Sequence, residues 1–89
     1  MVIRRRLTIS GRVQGVFFRD SCRNEAHRLQ VFGWVTNLAD GRVEAVFEGA
    51  QTAVESMVGW AHHGPRSAQV QRVDICEEEP TGETAFRIR

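Results

Sequence analysis

The sequence predicts one α+β domain with the element order β-α-β-β-α-β and a short extra strand at its end. Three observations predict this fold. Two stretches carry apolar residues at the three- and four-residue spacing of an amphipathic helix. Several shorter stretches alternate apolar and polar residues, as half-buried strands do. Between two of those strands lies Asp40-Gly41, a dipeptide typical of a hairpin that makes its flanking strands antiparallel.

The apolar pattern also sets the boundaries of each element. The second helix is the clearer one, since its apolar residues follow helical spacing from Ala50 to Ala61 and Gly64-Pro65 then stops it. In the fourth strand the alternation changes phase between Gln71 and Arg72, which predicts a β-bulge. The predicted elements occupy residues 5–11 (strand), 18–30 (helix), 33–38 (strand), 42–48 (strand), 50–62 (helix), 67–77 (strand) and 84–89 (strand). This order is that of the ferredoxin-like fold, in which two helices pack on one face of an antiparallel-rich sheet.

Composition indicates an ordinary soluble globular protein of 89 residues, with 42% apolar and 26% charged residues. The net charge of +1 provides no strong field for nucleic acid, and no apolar stretch is long enough to span a bilayer. Cys22 and Cys76 lack motif spacing, which favours a reduced, cytoplasmic protein. We interpret Arg4-Arg5-Arg6 as a solvated strand edge that discourages edge pairing. No linker is visible, so we expect residues 1–89 to form a single domain and a monomer.

The stretch from Gly11 to Arg19 is the candidate functional loop. It lies between the first strand and the first helix, and glycines such as Gly15 let the backbone curl until several N–H groups converge. The start of the helix adds unpaired N–H groups and the positive end of its dipole. Arg19 contributes a fork of donors suited to a phosphate. We therefore interpret this stretch as a phosphate cradle.

The cradle lacks the features of other phosphate chemistries. It does not match the G-x-x-x-x-G-K-[ST] pattern of nucleotide-binding loops. A cysteine phosphatase needs a thiolate inside the anion loop, but Val13 stands six residues before Arg19, and Cys22 follows on the apolar face of the helix. The histidines fall in or at the end of predicted helices, and no metal-ligand pattern is present. The sequence therefore shows no nucleophile, no tuned general base and no metal site.

Asn37 is the second residue of chemical interest. It lies at the end of the second predicted strand and shares a face with Val35, which the pattern buries. A buried amide needs hydrogen-bond partners. One interpretation is a strand-end or turn residue; the other is a neutral group that holds and orients a water, because an amide donates and accepts without titrating. The pattern alone leaves both interpretations open.

Two long stretches of the sequence resemble the signatures of the acylphosphatase family. Gly11-Arg12-Val13-Gln14-Gly15-Val16-Phe17-Phe18-Arg19 looks like the first signature, and Gly33-Trp34-Val35-x-Asn37-x-x-Asp40-Gly41-x-Val43-Glu44 looks like the second. The resemblance extends over nearly the whole chain. It implies the ferredoxin-like fold, hydrolysis of acyl phosphates to a carboxylate and inorganic phosphate, and no metal or organic cofactor. It also implies that Arg19 binds the phosphate and that Asn37 positions a water.

The chemistry that the resemblance implies needs few protein groups. An acyl phosphate is a mixed anhydride with a good leaving group, and phosphoryl transfer depends mainly on positioning and charge stabilisation. Arg19 and backbone amides of the loop would hold the equatorial oxygens, Asn37 would place a water in line, and a phosphate oxygen of the substrate would take its proton. The backbone amides assigned to the cradle are those of Gln14, Gly15, Val16, Phe17 and Phe18.

Three other functions are compatible with the predicted fold. The first is a non-catalytic binding module, because fold alone does not fix function. The second is an RNA-binding sheet, which needs exposed aromatics on its central strands; Trp34 alone qualifies by position. The third is a domain of a larger maturation enzyme that handles carbamoyl phosphate, although a chain ending at Arg89 favours a free-standing enzyme. Carbamoyl phosphate and glycolytic acyl phosphates both fit as substrates.

Overall fold

The computed structural model describes residues 1–89 and contains the five strands and two helices in the predicted order. The elements are β1 (Val2–Arg12), α1 (Phe18–Leu29), β2 (Phe32–Asn37), β3 (Val43–Ala50), α2 (Gln51–Ala61), β4 (Gln69–Glu78) and β5 (Phe86–Ile88). The predicted fold class is confirmed, including the extra strand at the end. The predicted boundaries differ from these by a few residues, most at the start of β1, which begins at Val2 rather than at residue 5.

The topology of the sheet determines which chain segments meet. The strand order is β4-β1-β3-β2-β5. Because β3 pairs antiparallel with both β1 and β2, these two strands run in the same direction. β5 lies parallel to β2. The carboxyl ends of β1, β2 and β5 therefore lie at the same end of the sheet, which brings the loop after β1 close to Asn37 and Ile88.

Both helices cover one face of the sheet and form the core with it. The alternation of β1 sends Leu7 and Ile9 to this face, where both are fully buried. Burial of side chains of this size stabilises the fold by about 1.5–3 kcal/mol each. The helices contribute the buried residues Phe18, Cys22, Ala26, Val54, Met57 and Ala61. Neither helix is long and apolar enough to cross a membrane.

The predicted bulge is present in β4, at the end of the sheet where β1 leads into the loop. Ser10 pairs with Arg72, whereas the next residue, Gly11, pairs with Val70. Gln71 is therefore the extra residue, in agreement with the change of phase in the sequence.

The arginines at the start of β1 do not form a solvated edge, so this prediction was wrong. β1 has a neighbouring strand on each side, and Arg4 is only 6% exposed. Its guanidinium donates hydrogen bonds to Glu78 (2.9 Å), Glu48 (3.1 Å) and Glu83 (3.0 Å). In sequence, such a triplet looks the same whether its charges meet water or carboxylates from distant strands.

Glu48 connects the open face of the sheet to the loop that leads into β5. Its carboxylate accepts hydrogen bonds from three consecutive backbone N–H groups, those of Thr81 (2.9 Å), Gly82 (2.8 Å) and Glu83 (2.8 Å). Burial acts to raise the pKa of Glu48, but these bonds and the contact with Arg4 outweigh it and lower that pKa below its ordinary value. The carboxylate therefore holds the segment that delivers β5 to the sheet.

Trp34 lies on the same open face but is covered by arginine side chains. The Arg89 guanidinium stands 4.2 Å from the centroid of the indole ring, and that of Arg6 stands 5.3 Å away. The Trp34 residue is 9% exposed. Cation–π contact and shielding by the arginine stems account for this burial, and the exposed ring considered from the sequence is not present.

Candidate active site

The loop between β1 and α1 has a backbone of alternating handedness. Gly15 and Phe17 have φ values of 71° and 62°, whereas Val16 and Phe18 have no positive φ. Such alternation forms a nest, in which successive N–H groups turn toward a common centre. Glycine adopts positive φ freely, but phenylalanine rarely does. The strained backbone at Phe17 is therefore part of the nest, in which the main-chain N–H groups converge.

The N–H groups of this loop have no partners in the backbone. None of those from Gln14 to Asp20 donates a hydrogen bond to another main-chain group, and no side chain caps the start of α1. Backbone donors usually have partners, and the first turn of a helix supplies several that lack them. The helix dipole adds partial positive charge at the same place. The loop thus presents a run of free donors suited to an anion.

A cleft of about 350 Å³ lies against this loop. Arg19 and Asn37, the two side chains singled out from the sequence, both line this cleft. The cleft is also lined by the loop residues Gln14, Gly15, Phe17 and Phe18. Val16, whose amide was also assigned to the cradle, is in the loop, but its side chain packs in the core.

Arg19 is the second residue of α1 and is half-buried. The neighbouring carboxylate of Asp20 does not neutralise it, because Asp20 pairs with Arg23 at 3.6 Å. A guanidinium in this position can donate two parallel hydrogen bonds to a phosphate. Helix α1 therefore supplies both main-chain donors and a positive charge to the cleft.

Asn37 is the last residue of β2 and pairs with Val43 of β3. Its side-chain oxygen Oδ1 is shielded from solvent and has no hydrogen-bond partner in the protein. Among the buried side-chain nitrogens and oxygens, this atom alone lacks one. Buried polar atoms are almost always satisfied, so an orphan acceptor in a cleft indicates a place where a donor binds. A water molecule is a donor of the right size.

Four apolar residues line the cleft, and two of them, Phe17 and Ile88, are accessible to solvent. Phe17 is 76% exposed, and Ile88 comes from β5. The sequence analysis did not assign Ile88 to the site. Its position at the carboxyl end of a strand parallel to β2 is the relevant signal, but this pairing is visible only in the three-dimensional structure.

The remaining reactive groups lie outside the cleft or are inert. Cys22 is buried in the core, and burial raises the pKa of its thiol. Cys76 is exposed on β4, and neither cysteine forms a disulfide. No group of three or more His, Cys, Asp or Glu side chains is arranged to hold a metal ion. Asp20 is the one carboxylate among the lining residues.

Comparison with known proteins identifies the family of this chain. The sequence profile of the acylphosphatase family matches residues 5–88. The chain belongs to the acylphosphatase family. It is 58% identical over 86 residues to an acylphosphatase from Rubrobacter xylanophilus, which covers 94% of this chain and 77% of that relative. The structure of an acylphosphatase from Coxiella burnetii superposes with a TM-score of 0.94 at 40% identity, over 99% of this chain and 93% of the other.

The same fold also occurs inside a larger protein. The structure of full-length HypF in a phosphate- and nucleotide-bound form matches with a TM-score of 0.88 and 23% identity, and the match spans 12% of that chain. At this identity the likeness concerns the fold alone. The acylphosphatases above, in contrast, match along most of their own length.

Membership of the acylphosphatase family establishes the activity that the two signature stretches imply. The chain is a hydrolase that splits acyl phosphates into a carboxylate and inorganic phosphate. Its substrates are therefore small molecules that carry a phosphoryl group on a carboxyl oxygen.

Proposed function

We propose that Arg19 and the loop amides bind the phosphoryl group of an acyl phosphate, and that Asn37 positions the water that attacks phosphorus. The observation that carries this proposal is the orphan Oδ1 of Asn37, which lines the same cleft as Arg19 and the loop. The loop and Arg19 offer donors for an anion, and Asn37 offers a neutral acceptor for a water.

The binding step uses charge and main-chain geometry together. The equatorial phosphate oxygens accept hydrogen bonds from the guanidinium of Arg19 and from the N–H groups of the loop. Because these donors are fixed in advance by the fold, they need no reorganisation as negative charge shifts during the reaction. The amides in question are those of Gln14, Gly15, Val16, Phe17 and Phe18. The acyl part of the substrate extends toward Phe17 and Ile88, the apolar border of the cleft.

The hydrolysis step forms one bond to phosphorus and breaks another. The water held by Asn37 attacks phosphorus opposite the acyl oxygen, and the bond from phosphorus to that oxygen breaks with its electron pair. The carboxylate leaves without needing a general acid, since it is a weak base. The proton of the attacking water passes to a phosphate oxygen of the substrate. Asp20, which is exposed and paired with Arg23, takes no part.

Isotope labelling tests the direction of attack. The protein is incubated with acetyl phosphate in water enriched in oxygen-18, and both products are analysed by mass spectrometry. Attack on phosphorus places the label in inorganic phosphate. Label in acetate would show attack on the carbonyl carbon and would overturn the proposal, whereas a reaction without enzyme gives the background to subtract.

The pH dependence of turnover tests the proton transfer. With the substrate as proton acceptor, kcat follows no enzyme group near neutrality, and Asp20→Asn keeps its turnover within about twofold because the carboxylate is not used. A loss of kcat in Asp20→Asn, together with the loss of an acidic limb in the pH profile, would identify Asp20 as the base instead.

We further propose that the protein acts as a monomer in the cytoplasm. Both cysteines are free, and the open face of the sheet carries paired charges rather than an apolar patch. These features favour a reducing compartment and a chain without an obligate partner. Sedimentation at micromolar concentration should give the mass of one chain, 10.1 kDa; twice that mass would contradict a monomer.

A further inference from the structure

Two side chains outside the proposed catalytic pair attach the cradle loop to other parts of the fold. Nε2 of Gln14 donates hydrogen bonds to the carbonyl oxygens of Leu38 (2.8 Å) and Arg42 (2.9 Å). Oγ of Ser67 donates to the carbonyl oxygen of Val16 at 2.7 Å. The two contacts attach the loop to different segments of the chain: one to the connection from β2 to β3, and the other to the segment between α2 and β4.

The Gln14 contact joins the two halves of the site. Its side-chain amide has two N–H donors, and the two carbonyls that accept them stand at the two ends of the β2–β3 connection. Leu38 follows Asn37 directly, and its own N–H bonds to the Arg42 carbonyl at 2.8 Å. These three hydrogen bonds fix the end of β2 against Gln14, the first residue whose backbone amide is assigned to the cradle.

The Ser67 contact acts on the cradle alone. In a trans peptide the C=O and the following N–H point in opposite directions. By holding the carbonyl of Val16, the hydroxyl of Ser67 therefore directs the N–H of Phe17 to the other side of the loop. This peptide precedes Phe17, the non-glycine residue of the nest with a left-handed backbone. Such a conformation is strained and persists only where neighbouring groups hold it in place.

We propose that Gln14 and Ser67 are positioning residues with separate effects. Gln14 sets the place of Asn37 relative to the cradle and so controls turnover. Ser67 sets the direction of a cradle amide and so controls affinity for the phosphoryl group. The inference rests on the proposed roles of Asn37 and the loop amides. A hydrogen bond with a merely structural role would lower the thermal stability without separating kcat from phosphate affinity.

Kinetics of matched variants test this separation. Gln14→Met keeps the length of the side chain but removes both donors, and Ser67→Ala removes the hydroxyl. We measure kcat with acetyl phosphate, the inhibition constant of inorganic phosphate, and Tm. Gln14→Met should lower kcat by about tenfold or more, because displacement by a fraction of an ångström is costly, while the inhibition constant stays within about twofold. Ser67→Ala should raise the inhibition constant about fivefold, the worth of a typical net hydrogen bond.

A control variant tests whether the loss of any glutamine side-chain amide, away from the cleft, changes the kinetics. Gln51→Met removes the side-chain amide of an exposed residue on α2. This amide donates one hydrogen bond, to Glu55 at 3.4 Å, so the variant should leave kcat and the inhibition constant unchanged. Gln14→Glu serves as a second variant, since it keeps the shape of glutamine and also loses the donors. A fall in kcat is expected there too; full activity in Gln14→Glu and Gln14→Met would overturn the role of Gln14.

A double-mutant cycle shows whether Gln14 acts through Asn37. In the Asn37→Ala background, Gln14→Met should lower kcat by less than about twofold, because the group that it positions is already gone. Multiplied losses would mean that Gln14 acts independently and would refute the inference. Normal turnover in Asn37→Ala itself would refute the proposed role of Asn37, a different outcome that the same data distinguish.

Discussion

The Arg4 guanidinium and the Glu48 carboxylate form an ion pair of 3.1 Å that is almost closed to solvent, with side chains 7% and 3% exposed. Glu48 is also the acceptor for the N–H groups of residues 81–83, just before β5. Loss of the Glu48 carboxylate would leave these three N–H groups without their acceptor, and Arg4 with only its ion pairs to Glu78 and Glu83. This cluster is therefore a part of the fold where a single substitution has a large effect.

Glu48→Gln should lower the free energy of unfolding by about 2 kcal/mol, since it removes the charge and one of the two acceptor oxygens for the N–H groups of residues 81–83. Urea unfolding at pH 7 measures this change. Glu55→Gln, at an exposed position of α2, is the matched control and should change stability by less than about 0.5 kcal/mol. An equal effect in the two variants would contradict the importance of the buried pair.

The stability of the native protein should depend on pH through the same cluster. The pKa values of Glu48 and Glu78 are lowered in the folded state, Glu78 chiefly by its hydrogen bonds from Arg6 and Arg4. Their stabilisation is therefore fully present above the ordinary glutamate pKa of about 4.3 and is lost as the pH falls through the lower folded-state values. Urea unfolding between pH 3 and 6 should show this fall. If the free energy of unfolding of Glu48→Gln falls with pH as steeply as that of the wild type, Glu48 does not contribute to this pH dependence.

Arg19→Ala should lose both phosphate binding and turnover. The guanidinium is the one charged donor proposed for the phosphoryl group, so we expect kcat/KM to fall by at least about 100-fold. Inhibition by inorganic phosphate should weaken in parallel, measured as competition with acetyl phosphate. Arg23→Ala, one turn further along α1 and paired with Asp20, should stay close to the wild type. If Arg23→Ala loses as much activity as Arg19→Ala, a general effect of the charge on α1 would explain the loss in both variants.

Asn37→Ala should lose turnover but keep its affinity for phosphate. The amide binds a water rather than the anion, so we expect kcat to fall by about 100-fold with an inhibition constant within about threefold of the wild type. Asn24→Ala, an exposed position on α1, serves as the control. If Asn37→Ala weakens phosphate inhibition as much as it slows turnover, Asn37 is a binding residue and the division of roles is wrong.

Two glycine substitutions should change stability in opposite directions. At Gly33 (φ 136°) an added Cβ would lie 1.9 Å from the carbonyl oxygen of Val46, so Gly33→Ala should destabilise by about 2 kcal/mol or more. At Gly59, inside α2, an added Cβ meets nothing within 4 Å. Gly59→Ala should stabilise by about 0.5–1 kcal/mol. Thermal unfolding compares the two, and destabilisation by both would show that α2 is tighter than this geometry indicates.

The fold could be predicted from sequence largely because its signals are local. Helical spacing from Ala50 to Ala61, the Asp40-Gly41 turn and the phase change at Gln71 each act over a few residues, and each corresponds to an element that the structure contains. The burial of Arg4 could not be predicted in this way. It depends on β1 lying between two other strands and on carboxylates that come from β3, β4 and the loop before β5.

The candidate site likewise has some features with a local signal in the sequence and others that depend on contacts between distant segments. The loop from Gln14 to Arg19 leaves a local signal in its glycines and in Arg19, whereas the pattern alone left two interpretations of Asn37 open, and its role came from the resemblance to the acylphosphatase family. The meeting of Arg19 and Asn37 in one cleft follows from the parallel direction of β1 and β2. The side-chain contacts of Gln14 left no signal in the sequence, since they are made to backbone carbonyls of a distant turn.

The common direction of β1, β2 and β5 has a practical consequence for handling the protein. Because the cleft lies where β1 ends, the first residue of β1 is at the far end of the sheet, on the order of 30 Å away along an extended strand. Met1 is 91% exposed there. A fluorophore or a tether to a sensor chip attached at Met1 would therefore leave the mouth of the cleft facing the solution, so that immobilised protein should bind and turn over substrate as the free protein does.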